Sequence, residues 1–289
     1  MLASTPVFDT LAFPSRAQLG EGPVWDGAQL HWVDILGRRL FSSDLDAVVT
    51  RTTDLPQMPG FAVPDIAGGW LAGFPDGLWR SNVALTEWEQ LWHAPHPLET
   101  HRINDGKTDP QGRVWFGSMT YAEVDPLSAL YRLDGSGVTE ELAHVTTSNG
   151  LDWSPDHRTF YYTDSIPRVI WAFDYDEASG DISNKREFAR DPAGYVPDGG
   201  CIDDDGCFWS CKWNGSRIVR YTPDGRTDLV WELPVHNPTS CTFVGPDRSV
   251  LAITSAQSTD PSCASEFDGA VLLIQTRTAG PTMTRTRSK

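Results

Sequence analysis

Six copies of one short pattern run through the 289-residue chain, and this repeat restricts the possible folds more than any other feature. Each copy has a turn rich in Asp, Pro or Gly, then a short apolar strand, then a further strand-like run. The apolar strands are predicted at residues 30–34, 70–73, 114–117, 159–164, 208–210 and 250–254. The copies begin at intervals of roughly 40 to 50 residues, the length of a four-stranded propeller blade. We therefore predict an all-β fold, a six-bladed β-propeller with four-stranded blades.

The same strand spacing also fits a β-sandwich or a two-sheet barrel. Neither alternative explains why one turn–strand–strand order recurs six times, so the propeller is the preferred interpretation. A closed ring needs its two ends to pair, and we expect residues 7–11 to pair with strands near 270–274. Residues 1–275 then form a single domain. The Thr- and Arg-rich segment 276–289 is predicted to be a disordered basic tail.

The chain is acidic, with a formal net charge of −16, and its last 14 residues contribute only positive charges. A body with this charge repels phosphate backbones, so we expect no nucleic-acid partner, whereas a cation site is compatible with it. No apolar stretch approaches the roughly 18 residues of a membrane span, so no membrane partner is expected either.

The N-terminus and the cysteines both favour the cytoplasm. The first six residues have neither a basic patch nor an apolar run of the kind found in signal peptides. The five cysteines are odd in number and lack paired spacing, which fits a reducing compartment. Cys201, Cys207 and Cys211 could belong to a zinc site, but no C-x-x-C pair exists. Buried reduced thiols are the preferred interpretation.

Several common catalytic motifs are absent from the sequence, including G-x-S-x-G, H-E-x-x-H and G-x-x-x-x-G-K-[ST]. Instead, four clusters place polar residues beside Gly or Pro at the edge of an apolar strand. They are LGEGP at 19–23, RINDGK at 102–107, SNGLDW at 148–153 and VPDGG at 196–200. Each cluster alone is typical of a tight turn. Their recurrence at the same end of successive blades predicts that they face one mouth of a central channel.

Three of these clusters supply oxygen ligands. Glu21, Asn149 and Asp198 together offer two carboxylates and one amide oxygen. Such an all-oxygen set suits a hard or borderline divalent ion, with water or substrate in the remaining positions. The sequence therefore predicts one divalent metal ion as cofactor, and calcium, zinc, manganese and iron all remain open.

The sequence also resembles a known family of six-bladed propellers, the senescence marker protein-30/gluconolactonase/luciferin-regenerating-enzyme family. The resemblance spans about residues 15 to 275, and its short motifs are specific through their order and spacing. The matching stretches are residues 19–25, 32–34, 102–107 with 109–110, 117–119, 148–153 with 160–162, 172–176, 197–199 and 239–241.

This resemblance implies roles for individual residues. Glu21, Asn149 and Asp198 correspond to the family's metal ligands, and Asp198 also corresponds to its general base. Arg102 and Asn104 correspond to residues that hold substrate hydroxyls and offer donors to the developing oxyanion. The implied function is metal-dependent hydrolysis of a small-molecule sugar lactone to the open-chain sugar acid, which makes the chain a carboxylic-ester hydrolase of the gluconolactonase type.

One departure and three rival functions remain open. The family often has acidic residues just after a Gly-Thr-Met motif, where this chain has residues 120–123; Glu123 could take that place, but its register is uncertain. A related propeller hydrolysing phosphotriesters or aryl esters is the first rival. A non-catalytic propeller that binds a cation or a protein is the second. A strictosidine-synthase-like propeller is the third, although it would not require the three oxygen ligands.

Overall fold

The computed structural model describes residues 6–7, 9–10, 16–46, 50–282 and 286. In this part of the chain, twenty-four strands form six four-stranded antiparallel sheets, and no helix is present. The sheets are the blades of a six-bladed β-propeller, as predicted. The first three blades comprise β2 (Gly20–Trp25), β3 (Leu30–Asp34), β4 (Arg39–Ser43) and β5 (Thr50–Asp54); β6 (Phe61–Pro64), β7 (Trp70–Phe74), β8 (Gly77–Ser81) and β9 (Trp88–His93); and β10 (His101–Thr108), β11 (Val114–Thr120), β12 (Ser128–Asp134) and β13 (Gly137–Val145).

The last three blades follow the same order until the ring closes. They comprise β14 (Ser148–Trp153), β15 (Thr159–Asp164), β16 (Val169–Tyr175) and β17 (Ile182–Arg190); β18 (Val196–Ile202), β19 (Phe208–Trp213), β20 (Arg217–Tyr221) and β21 (Thr227–Glu232); and β22 (Asn237–Val244), β23 (Val250–Ala256), β24 (Leu272–Gln275) and β1 (Asp9–Thr10). The strands predicted from the repeat are the second strands of the blades. The polar clusters lie on or beside the first strands.

The two ends of the chain meet in the sixth blade. Asp9 lies opposite Leu273 and Thr10 lies opposite Leu272, so β1 pairs with β24 in antiparallel register. The predicted closure between these two segments is therefore confirmed, while Phe8 and Leu11 lie outside the described residues. Closure leaves the last blade with four strands like the others and covers one edge of β24.

The turn that opens each repeat is built around an aspartate. Asp109 accepts hydrogen bonds from two backbone N–H groups of its turn through Oδ1, and from Trp115 Nε1 through Oδ2 at 3.2 Å. Asp203 repeats the arrangement two blades later, where its Oδ2 accepts from Trp209 Nε1 at 2.8 Å. These side chains satisfy the turn and tie it to the tryptophan of the following strand, which explains the recurrence of Asp before an aromatic strand.

The hydrophobic core is a ring of apolar layers between neighbouring blades. Six clusters of buried side chains are found among the described residues, and each bridges an adjacent pair of blades. Trp115 of the third blade, for example, packs on Phe160 of the fourth with ring centroids 4.9 Å apart. Burying such a side chain stabilises the fold by about 1.5–3 kcal/mol. The blades are thereby fixed relative to each other, and the first strands contact one another around a central channel.

Segments beyond Gln275 also contact the propeller. Thr276 Oγ1 donates a hydrogen bond to the carbonyl of Ser249 at 2.6 Å, and Thr286 forms a parallel backbone bridge with Asp65. The structure describes 276–282 and 286 in this region. The domain boundary at residue 275 and the disordered tail stay predictions.

Candidate metal and substrate site

The site lies at the start of the innermost strands. Glu21, Arg102 and Asn149 are each the second residue of their strand, and Asp198 is the third residue of β18. Because all innermost strands run in the same direction along the channel, their first residues meet at one mouth. Four different blades therefore contribute to the same place.

Irregular pairing helps to turn these side chains into the channel. The register between the first and second strands shifts at 21–24, 103–105, 149–152, 197–200 and 238–241, in five of the six blades. A bulge of this kind re-aims a side chain relative to the regular pleat. Glu21 and Asn149 are each followed by a glycine, Gly22 and Gly150, with φ of +53°. That left-handed conformation favours glycine, which explains the Glu-Gly and Asn-Gly pairs in the sequence.

All five predicted site residues line one pocket of about 330 Å³. Glu21, Arg102, Asn104, Asn149 and Asp198 share this pocket with residues that the sequence analysis left open or unassigned. Those further polar residues are Glu123, Thr147, Ser165 and Asn214, and the apolar ones are Leu19, Ile35, Met119, Ile166, Val196 and Trp213.

Buried negative charge is concentrated at the base of this site. Burial raises the pKa of Glu21, and the charges of Asp198 and Asp105 raise it further. Burial likewise raises the pKa of Asp198, with added contributions from Asp105 and Glu123. Asp105 itself has its pKa raised by burial to about 6, although the N–H groups of Gly106 and Gly150 partly oppose this.

A divalent cation fits this donor set because it would offset the mutual repulsion of the carboxylates. Glu21 and Asp198 would contribute carboxylate oxygens and Asn149 its amide oxygen. In the described part of the chain, no group of three or more His, Cys, Asp or Glu side chains is arranged to hold a metal ion, and the predicted set accordingly combines two carboxylates with one amide. The ligand assignment and the predicted convergence of the three oxygens on one point stay predictions.

Arg102 supplies a positive charge to the pocket. Its side chain is buried and Nη1 donates a hydrogen bond to the carbonyl of Ile103 at 3.1 Å. Burial lowers its pKa, while the negative groups around it, Glu21, Glu123 and Asp198 among them, act in the opposite direction. Among the described residues, no carboxylate lies within 4 Å of the guanidinium. Arg102 therefore does not brace its loop through an ion pair with a described acid.

The hydrogen bonds of Asn104 differ from those expected of a donor to the developing oxyanion. Both hydrogens of its amide nitrogen are used within the protein: Nδ2 donates to the carbonyl of Ser148 at 2.8 Å and to Asn149 Oδ1 at 2.9 Å. A donor to a developing oxyanion would require one of these bonds to break. Only the oxygen end of Asn104 remains for a substrate, where it can accept a hydrogen bond from a hydroxyl group.

Sequence reasoning missed Asp105 and Ser165 and left Glu123 open. Asp105 belongs to the RINDGK cluster at 102–107, but nothing in the sequence showed that its Oδ2 would accept a hydrogen bond from the N–H of Gly150, in the next blade, at 2.9 Å. Glu123 lines the pocket, and Thr147 Oγ1 donates to its Oε1 at 3.2 Å. Its backbone has φ of +51°, an uncommon conformation for a non-glycine residue.

The fold and the site together define a closed six-bladed propeller with an acidic pocket at one mouth of its channel and one arginine beside the carboxylates. The chain belongs to the SMP-30/gluconolactonase/LRE-like family, whose family model matches residues 19–257. This confirms the resemblance that the sequence motifs indicated.

Individual relatives agree with this membership. The chain is 37% identical to a regucalcin of Danio rerio over 256 residues, covering 83% of this chain and 84% of that protein. It is 34% identical to the 6-deoxy-6-sulfogluconolactonase of Pseudomonas putida over 244 residues, with 83% and 84% covered. Among solved structures, the calcium-binding regucalcin of Agrobacterium tumefaciens superimposes with a TM-score of 0.92 at 25% identity, covering 99% of this chain and all of that one.

Proposed function

We propose that this protein hydrolyses a sugar lactone to the open-chain sugar acid and that it uses one divalent metal ion. The observation that carries the proposal is the convergence of Glu21, Asn149, Asp198 and Arg102 from four blades on one pocket. The relatives support the reaction class, since the Pseudomonas protein named above is a lactonase of a sugar acid and lactonases are carboxylic-ester hydrolases. The calcium-binding Agrobacterium structure supports a cation site.

Glu21, Asn149 and Asp198 are the residues that would hold the ion. A bound divalent ion would polarise the lactone carbonyl and lower the pKa of a nearby water molecule. Calcium, zinc, manganese and iron are all compatible with two carboxylates and an amide oxygen. Burial raises the pKa of both carboxyl groups and so opposes their ionisation in the metal-free protein, whereas a bound cation would favour the ionised form of both.

Asp198 is the proposed general base. Its carboxylate accepts a proton from the attacking water, whose oxygen forms a bond to the lactone carbonyl carbon. The ring C–O bond then breaks, and the leaving alkoxide takes the proton back from Asp198 to become the hydroxyl group of the open-chain acid, which regenerates the carboxylate of Asp198. The buried position of Asp198, close to Asp105 and Glu123, raises its pKa and thereby increases its affinity for the proton.

Arg102 and Asn104 are the proposed substrate-binding residues. The guanidinium of Arg102 offers donors to ring hydroxyls and to the oxyanion that develops on the carbonyl oxygen. Asn104 contributes its amide oxygen as an acceptor. Glu123, on the same pocket wall, is placed to accept from a further hydroxyl group. A polyhydroxylated lactone presents donors and acceptors that match this set.

Proton release from a panel of aldonolactones tests the proposal. The protein is stripped of metal and then refilled with calcium, zinc, manganese or iron(II), and each form is assayed on pentono- and hexonolactones. We expect hydrolysis with at least one ion and none without. Faster turnover of organophosphates or aryl esters than of lactones would favour the related esterase function, and a filled site without any turnover would favour a non-catalytic cation-binding propeller.

Cellular location and macromolecular partners stay predictions. The part of the chain that the structure describes contains no helix of the length and apolarity needed to cross a bilayer. Its five cysteines are free, and Cys201, Cys207, Cys211 and Cys241 are buried. We place the protein in the cytoplasm, with neither nucleic acid nor membrane as a partner, on the grounds given in the sequence analysis.

A further inference from the structure

The orientation of the Asn149 amide decides whether this residue can serve as a metal ligand. A carboxylate presents an oxygen at either end, whereas an amide has one oxygen that can bind a cation and one nitrogen that cannot. Asn149 is buried in the wall of the pocket, so each end of its amide needs a defined partner. The hydrogen bonds around it show which end faces which neighbour.

One end is determined by Asn104. A backbone carbonyl can only accept, so the Asn104 atom 2.8 Å from the carbonyl of Ser148 must be the nitrogen. The same nitrogen lies 2.9 Å from the Asn149 amide and donates its second hydrogen there. The Asn149 atom that receives it must therefore be Oδ1. This assignment needs no metal and depends only on the donor count of the two amides.

The other end is determined by Ser165. Asn149 Nδ2 donates to Ser165 Oγ at 2.9 Å. Ser165 is buried in the turn between β15 and β16, and the turn holds it in place: its own N–H donates to the carbonyl of Thr147, and its carbonyl accepts from the N–H of Arg168. The hydroxyl acceptor is thus fixed by the backbone. Without it, the buried Nδ2 group loses its partner, and only the bond from Asn104 still favours this orientation of the amide.

We propose that Ser165 is a positioning residue for the metal site, which holds the amide of Asn149 with Oδ1 towards the pocket. Ser165 acts through Asn149 and is not itself a ligand or a catalytic residue. The inference rests on the proposed function in one respect, that Asn149 is a metal ligand. It adds Ser165 to the residues on which the metal site depends. Groups that orient metal ligands in this way typically change metal affinity 10- to 100-fold when removed.

Metal affinity measured by calorimetry on the full chain tests this role. Ca²⁺ and Mn²⁺ are titrated separately into the metal-free wild type and Ser165→Ala, and we expect the variant to bind about 10- to 100-fold more weakly. Ser154→Ala is the matched control. Ser154 lies in the same blade at the other end of the strands, and its Oγ also accepts hydrogen bonds from turn N–H groups. The control should lower the melting temperature of the metal-free protein but change affinity less than about twofold.

The same substitution made in the Asn149→Asp protein shows whether Ser165 acts by orienting the amide or by stabilising its own turn. In Asn149→Asp, both ends of the side chain are oxygens, so orientation no longer limits ligation. Adding Ser165→Ala to this background should change metal affinity less than about threefold, because the positioning effect has no amide to act on. An equal loss of affinity in the wild-type and Asn149→Asp backgrounds would overturn the proposal and make Ser165 a structural residue of its turn. If Ser165→Ala does not fold, Ser165→Cys, which keeps the size but provides a weak acceptor, is measured in both backgrounds with the same expected outcomes.

The outcomes also separate this inference from the proposed function. A wild type that binds neither Ca²⁺ nor Mn²⁺, and neither Zn²⁺ nor Fe²⁺ when these are titrated in the same way, would overturn the metal site and the positioning role together. A wild type that binds metal while Ser165→Ala binds it equally well would overturn the positioning role alone. Weaker binding by Ser165→Ala, confined to the background that keeps Asn149, supports the role whether or not a lactone is hydrolysed.

Discussion

At the scale of single residues, the proposed roles of Asp198 connect stability, metal binding and catalysis. Its carboxyl group is buried beside Asp105 and Glu123, which raises its pKa and makes its ionised form costly in the metal-free protein. Asp198→Asn removes that charge. We expect the metal-free variant to unfold at a higher temperature than wild type at pH 7.5.

The same variant should lose metal affinity, and its lactone turnover should fall about 10²- to 10⁴-fold, as expected for loss of a general base. Melting temperature, bound metal and initial rate measured on one preparation check the three effects. A variant with normal metal content and a normal rate would remove Asp198 from the site.

Asp105 should make the metal-free protein sensitive to pH. Its pKa in the fold is about 6, above the ordinary value of 3.8, because of burial. A carboxyl group whose pKa is raised in the folded state stabilises the fold fully when the pH is below its ordinary pKa. This stabilisation is lost as the pH rises through the raised pKa. The unfolding free energy of wild type relative to Asp105→Asn should therefore fall by up to roughly 3 kcal/mol between pH 4 and pH 7.5. Urea unfolding across this range, without metal, measures it, and a constant difference would contradict the raised pKa.

Substitution of Arg102 tests whether substrate binding and metal binding depend on different residues. Arg102 lines the pocket without an ion pair to an acid among the described residues, and it acts on the predicted ligands only through its charge, which opposes the raised pKa of Glu21 and of Asp198. Arg102→Ala should leave metal content near normal and lower kcat/KM by about 10- to 150-fold, the effect of one lost charge-assisted hydrogen bond of about 1.5–3 kcal/mol. Unchanged kinetics with a lowered melting temperature would instead make Arg102 a structural residue.

At the scale of strands and turns, the sequence predicted more of the regular structure than of the site. The second strands of all six blades were found because each combines an aspartate-containing turn with a short apolar run. The polar clusters were correctly expected at one mouth, since they precede those strands at a constant distance. The contacts within the site were not predictable. The bulge that follows Asn149 and the hydrogen bonds of Asp105, Asn104 and Ser165 join different strands, and local sequence carries no signal for them.

Gly150 tests the contribution of this bulge to the site. Its φ is +53°, and a Cβ atom there would lie 2.9 Å from the carbonyl oxygen of Asp198 and still closer to Thr163 Oγ1. Gly150→Ala should push apart two strands that carry proposed ligands. We expect it to lower stability by about 1–3 kcal/mol and to weaken metal binding as well.

Gly27→Ala is the control for this substitution. Gly27 also has a positive φ, +101°, but no atom lies within 4 Å of its added Cβ. The control should show the cost of backbone strain without any change in metal affinity. Equal metal affinity in Gly150→Ala and wild type would show that the bulge does not hold the ligands in place.

At the scale of the whole molecule, ring closure and the site are separate properties of the fold. Closure depends on β1, which pairs with β24 through Asp9 and Thr10, whereas the site draws on the first strands of blades one, three, four and five.

Deletion of residues 1–10 removes the closing strand and leaves an edge of β24 unpaired. With about 0.5–1.5 kcal/mol for each backbone hydrogen bond lost, we expect a fall of several degrees in melting temperature and a greater tendency to aggregate. Metal affinity at 20 °C should stay near that of wild type, because no site residue lies in the sixth blade. Deletion of residues 1–5 alone, which keeps the paired residues, serves as the control and measures any loss of stability that does not come from the pairing of β1. If the longer deletion melts like wild type, the pairing of β1 contributes nothing to closure; if it loses metal binding while still folded, the site depends on the complete ring.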